Sequence, residues 1–226
     1  MGFRGIITAA VVTSVATAAA SALRKGRPAG ASAQGFRARL REDLDTVKRR
    51  DPAAQSDFVT VLSYPGMHAI WAYRGLHRLW AVPGGRAPAR LGSQLVRAVT
   101  GVEIHPGATI GRRFFIDHAD GIVVGETAEI GDDVMLYHQV TLGGTSMAKV
   151  KRHPTVGDDV LIGAGAKVLG PVTIGAGASV GANAVVIKDV PADAIAVGIP
   201  AVIKHPRGVA EPHGGKWELT DPAIWI

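Results

Sequence analysis

Cysteine is absent from the 226 residues, which excludes a disulfide framework, a thiolate metal site and a cysteine nucleophile. Aromatics amount to only 5% and charged residues to 19%, yet hydrophobic residues make up 47%. The apolar mass is therefore aliphatic, and there is too much of it for a disordered chain. Glycine is the excess, 29 residues, roughly twice the usual ~7% share. It does not fall at every third position, which excludes a collagen. The formal charge of +6 suits an anionic partner, whether a nucleic acid, a membrane surface or a phosphorylated cofactor.

The first residues stand apart. Gly5 to Leu23 carries no charge, is rich in Ala, Val and Thr, and lies between Arg4 and Arg24, Lys25 and Arg27. Its length suits a bilayer span, and a basic start with Ala-Ser-Ala near the end suits an export signal. Ala and Thr in place of Leu weaken either use; a soluble helix and a mis-assigned start are the other readings. Gly26 to Gly35 reads as a linker. Apolar spacing of three and four residues predicts a helix from Phe36 to Asp51, with Leu40, Leu44 and Val47 on one face. Its interleaved charges read as a solvated face rather than a nucleic-acid patch. Further helices are expected over Met67 to Trp80 and Ala89 to Val99. Residues 36–100 thus form a helical part.

After Thr100 the period changes to six. The inward positions are Ile104, Ile110 and Ile116, then Val124, Ile130, Leu136 and Leu142, then Val156, Ile162, Val168, Ile174, Val180 and Val186. This hexapeptide repeat predicts a left-handed parallel β-helix over residues 101–204, followed by a tail over 205–226. Each unit supplies a short strand and a corner, three units make a coil, and coils stack at the ~4.8 Å strand spacing. Gly163-Ala-Gly165 resembles part of a dinucleotide fingerprint, but it recurs with the repeat and opens no helix.

The period slips twice. Ile116 to Val124 is eight residues rather than six, around Asp117-His118-Ala119-Asp120-Gly121, and Leu142 to Val156 reads as fourteen rather than twelve. In a solenoid such insertions protrude and carry function. His118 beside Asp117 is a candidate general base. Glu103, fifteen residues earlier, is expected on the neighbouring coil, where a carboxylate would orient the imidazole. His105 and His138 read as packing residues. A metal site like that of the carbonic anhydrases built on this repeat needs a close histidine pair. His105, His118, His138 and His153 lie thirteen, twenty and fifteen residues apart, so no metal is expected.

Several segments together resemble one family. They are Arg50-Asp51-Pro52-Ala53, Tyr64 to Trp80, Glu103-Ile-His-Pro-Gly-Ala108, Asp117 to Thr127, Thr141-Leu-Gly-Gly-Thr145 and Arg152-His-Pro154. In this order they closely resemble serine O-acetyltransferase, across about Leu40 to Lys204. The resemblance implies that His118 deprotonates the serine hydroxyl as it attacks acetyl-CoA, and that Glu103, where many members have Asp, orients His118. It implies that Asp51 and Asp117 hold the serine ammonium and that Arg152 and His153 hold its carboxylate. Acetyl-CoA would lie in a groove between subunits lined by Gly144, Thr145, Ala164 and Ala182. A homotrimer follows, with a dimer of trimers left open by the short N-terminal part. The resemblance also implies O-acetylserine sulfhydrylase as a partner through the terminal Ile226, inhibition by cysteine, no nucleic-acid partner and a cytoplasmic location. Membrane association through residues 5–23 stays open. A sugar-type acceptor, or a silent scaffold for the sulfhydrylase, are the rival readings.

Overall fold

The computed structural model describes residues 33–204; the apolar run at 5–23 and Ile226 lie outside them. Among the described residues four helices precede the strands: α1 Ala33–Arg50, α2 Asp57–Ser63, α3 Pro65–Trp80 and α4 Arg86–Thr100. The three expected helices are present. The short α2 escaped periodicity because seven residues barely show one. It starts where the Ser56 hydroxyl accepts the Val59 N–H, a capping arrangement. Proline in the first turn of α3 lacks only an N–H that would be unpaired there anyway. Gly101 ends α4 with φ of 75°, its N–H returning to the Arg97 carbonyl, a conformation glycine adopts without steric cost.

Fifteen strands follow, β1 Val102–Ile104 through β15 Val202–Lys204. They fall into three sheets in which each strand pairs in parallel with the strand three places on, except at the C-terminal end. The first sheet is β1-β4-β7-β10-β13, the second β2-β5-β8-β11, and the third β3-β6-β9-β12-β14-β15. This is the expected β-helix. Twelve of the thirteen inward positions are buried and Ile110 is half-buried. Each full burial of such a side chain contributes about 1.5–3 kcal/mol. The antiparallel β15, paired with β14 (Val197 opposite Val202), ends the stack.

Register shows how the coils differ. Val102 pairs with Ile122, Val123 with Thr141, and Thr141 with Lys167. The offsets are therefore 20, 18 and 26 residues. The second slip is thus larger than the sequence reading: eight residues are inserted, because Leu142 and Val156 are consecutive inward positions with no inward residue between them. The inserted stretch, Gly144 to Lys151, is exposed.

The outer faces of the sheets differ as well. The second is polar, with Thr109, Glu129 and Thr173 exposed. The third is covered by the helices, where Phe115, Met135 and Leu161 pack with Val47 and Met67. The first carries Glu103, Val123, Thr141, Lys167 and Val185, all half-buried.

Candidate active site

The corner between the third and first sheets holds the first break. Pairing of β3 with β6, β6 with β9 and β9 with β12 places Ile116, Leu136, Ile162 and Val180 in one row. Two residues further on, His118, His138, Ala164 and Ala182 form a column. Counting back from β4 and β7 instead puts Asp120 beside His138, and the Gln139 N–H bonds the Asp120 carbonyl at 2.9 Å. The two extra residues are therefore His118 and Ala119. Both are left-handed, with φ of 58° and 54°, a conformation that costs about 1–2 kcal/mol per non-glycine residue. Ala119 turns into the prism core, which offsets part of that cost. His118 turns outward, its side chain 70% exposed.

His118 meets the His138 ring edge-on, centroids 5.8 Å apart. Asp117 accepts the His118 main-chain N–H at 2.9 Å, and its other oxygen lies 3.7 Å from His118 Nε2. Asp51, just past α1, is brought to the same corner. Its carboxylate accepts the Tyr64 hydroxyl and the Ala53 N–H. Burial pushes the Asp117 carboxyl above its ordinary value, and the nearby Asp51 carboxylate adds to this while His118 opposes it. Burial, with both carboxylates, raises the Tyr64 and Tyr137 hydroxyls too. Two carboxylates brought to one corner suit a cation.

The corner between the first and second sheets holds the second break, with Gly144, Thr145, Arg152 and His153. Arg152 reaches the Glu126 carboxylate at 3.5 Å and the Ser146 carbonyl at 3.3 Å. The buried His153 ring lies over Gly125 and Gly144. A Cβ on Gly125 would sit 2.0 Å from the ring, so only glycine leaves room for it. His153 Nδ1 accepts the Thr127 N–H at 3.2 Å, so the neutral ring carries its proton on Nε2, a donor suited to a carboxylate. Burial lowers the proton affinity of His153, aided by Arg152 and Lys151. His105 is lowered too, first by burial. It accepts the Gly107 N–H at 3.0 Å and packs edge-on against Trp80, a packing role as expected.

These two histidines bear on stability. Their folded forms resist protonation, whereas an unfolded chain takes up protons below the ordinary value of 6.5. Stability is therefore unaffected by them above that value and falls as pH drops through it. Melting scans at about pH 7 and about pH 5.5 should show a lower midpoint at the acid value, and His105→Gln should reduce the difference.

Not every expected residue falls into place. Asp51, Asp117, His118, Ala164 and Ala182 share one corner, while Gly144, Thr145, Arg152 and His153 share another. Glu103 is not stacked on His118. The first coil is 20 residues long, so a residue fifteen positions on falls short, at the preceding corner, and Val123 lies beside Glu103 instead. The Glu103 carboxylate accepts Arg90 at 2.8 Å, Gln94 at 3.2 Å and Arg97 at 2.5 Å. Burial raises its carboxyl, but these bonds outweigh that and hold it below its ordinary value. His138, read as a packing residue, is the ring nearest to His118. Counting both from the inward residue two places earlier was the available signal.

Similarity to known proteins bears on the family and the fold. A model of the bacterial transferase hexapeptide (six repeats) matches residues 153–188. The serine acetyltransferase of Mycobacterium tuberculosis is 52% identical over 185 residues, covering 80% of this chain and 79% of that one. This chain belongs to the serine acetyltransferase family. The serine acetyltransferase of Bacillus subtilis is 56% identical over 169 residues, 75% of this chain and 77% of its own. The soybean serine acetyltransferase complexed with serine superposes with a TM-score of 0.71 at 46% identity, covering 74% of this chain and 69% of that one. A serine acetyltransferase complexed with CoA gives 0.67 at 42%, covering 73% and 67%. Serine acetyltransferase structures and the hexapeptide pattern both fit the left-handed sense of the β-helix.

Proposed function

We propose that this chain transfers the acetyl group of acetyl-CoA to the hydroxyl of L-serine, giving O-acetylserine and CoA on a cytoplasmic route to cysteine. The observation that carries the reading is the His118–Ala119 bulge, which projects an imidazole at the foot of a column of small residues. His118 takes the hydroxyl proton as the serine oxygen attacks the thioester carbonyl. When the tetrahedral intermediate collapses, the C–S bond breaks and the thiolate takes the proton back. His138 is the polar group beside His118 on the side of Ala164 and Ala182, in place to donate to the oxyanion. From His118 to Ala182 is three coil steps, about 14 Å at the strand spacing, comparable to an extended pantetheine arm.

The remaining parts need a second copy. In a trimer, the first-sheet corner of one subunit would bring Arg152 and His153 against Asp51, Asp117 and His118 of the next. The ammonium would meet the carboxylates and the serine carboxylate would meet Arg152, whose planar fork suits it. Gly144 and Thr145 would form the opposite wall of the CoA groove. Glu103 lies on the same first-sheet face, so any orienting role toward His118 also crosses the subunit boundary. No helix among the described residues is long and apolar enough to cross a membrane. The sulfhydrylase remains a partner implied by resemblance through Ile226, and a dimer of trimers the larger implied assembly.

The test is thiol release from acetyl-CoA by the purified protein with L-serine, a panel of sugars or no acceptor. Serine-dependent release is expected. Release with a sugar alone would overturn the acceptor, and none with any acceptor would favour a scaffold.

A further inference from the structure

The two carboxylates assigned to the serine ammonium repel one another before any cation arrives. Burial and the Asp51 charge both push the Asp117 carboxyl upward. Something other than their own attraction must keep them together in the empty site. Asp117, just past β3, is fixed by its own N–H on the Leu136 carbonyl at 2.9 Å and by the His118 N–H. Asp51 lies beyond the end of α1, on a stretch that is not part of the β-helix at all.

Beyond its local bonds to Val47, Ala53 and Ala54, two more distant contacts bear on its position. From one side the Tyr64 hydroxyl, in the turn between α2 and α3, donates to Asp51 Oδ2. From the other, Arg50 anchors the end of α1 to the β-helix, its Nη2 donating to the Asp133 carbonyl at 2.8 Å. The Arg50 side chain is only 9% exposed, and desolvation lowers its proton affinity in spite of Asp133 and Asp159 nearby. A buried guanidinium is a costly way to pin a helix end when an apolar side chain would fill the space. Asp133 does not require it for charge balance, since Arg113 already pairs with that carboxylate at 2.7 and 2.8 Å. Asp133, Asp159, Arg49 and Arg113 bear electrostatically on Arg50, which adjoins Asp51 along the backbone.

We infer that Arg50 and Tyr64 are positioning residues that brace Asp51 beside Asp117, so that the ammonium pocket is formed before substrate binds. The inference rests on the proposed serine reading. Preorganised charge of this kind matters because no binding energy is then spent on assembling the pocket.

The experiment compares L-serine with 3-hydroxypropionate, which keeps the hydroxyl and carboxylate but lacks the ammonium. Wild type, Tyr64→Phe and Arg50→Met are assayed with both acceptors, and melting midpoints are recorded. In both variants the preference for serine should fall about tenfold, the size expected for losing a hydrogen bond to a charged group. The loss should appear as a raised KM for serine with kcat and the KM for acetyl-CoA nearly unchanged. The Arg50→Met midpoint should fall, because the Asp133 carbonyl and the Asp133 and Asp159 charges lose a partner, while the Tyr64→Phe midpoint should move little, so that variant separates bracing from general stability. Equal loss with both acceptors, or a loss confined to kcat, would overturn the brace, as would unchanged preference in the two variants. If wild type itself shows no preference for serine, the serine reading fails first, and that result is separate from the variants.

Discussion

Replacing His118 lowers kcat by about 10²–10⁴-fold, the usual contribution of a positioned general base, and leaves the fold intact. Two substitutions separate chemistry from backbone. His118→Ala removes the imidazole but places alanine at φ of 58°. His118→Asn removes the base while keeping a residue type that tolerates the left-handed region. Both should lose activity to a similar extent. The side chain is 70% exposed and buries little, so the melting midpoint of the Asn variant should match wild type. The KM for acetyl-CoA should hardly move, since the column of small residues above is untouched. A loss below about tenfold in both variants would show that the proton leaves by another route.

If the protein forms the proposed trimer, mixing two inactive variants should restore activity that neither parent has. His118→Ala lacks the base corner, and Arg152→Ala lacks the carboxylate clamp on the other corner. If each site joins the base corner of one subunit to the clamp corner of its neighbour, one ordered pairing of the two variants restores an intact site. Random mixing in equal amounts makes about a quarter of the sites of this kind. Co-refolded or co-expressed variants should therefore show about a quarter of wild-type turnover, against almost none for either alone. A site contained within one subunit gives no recovery, so the absence of recovery in verified mixed trimers rejects the shared site. The prediction follows from the register: His118 and Arg152 belong to different corners of the same prism, and no side-chain motion within a coil brings them together.

The three longer helices and the coil were legible because each rests on a local period. Leu40, Leu44 and Val47 recur at helical spacing, and the inward aliphatics recur every six residues, so burial of a stripe or a prism is written in order along the chain. The first break was legible for the same reason, since two extra residues disturb a six-residue count. The eight-residue insertion was undercounted because an aliphatic period shows where inward residues are and says nothing of a loop that contains none. The Glu103 error has the same root: sequence distance converts to a neighbour across coils only when the coil length is known.

The sequence by itself determined the architecture and the break at His118, and by resemblance it named the residues proposed to grip a small zwitterion, because repeating burial and short motifs are local. Only the tertiary structure decided which of those residues meet. It put His118 beside His138 rather than Glu103, committed Glu103 to Arg90, Arg97 and Gln94, and braced Asp51 between Tyr64 and the buried Arg50. The reason is physical. Those contacts depend on coil length, corner geometry and the docking of helices onto a sheet, and each is a sum over many residues that no single motif encodes.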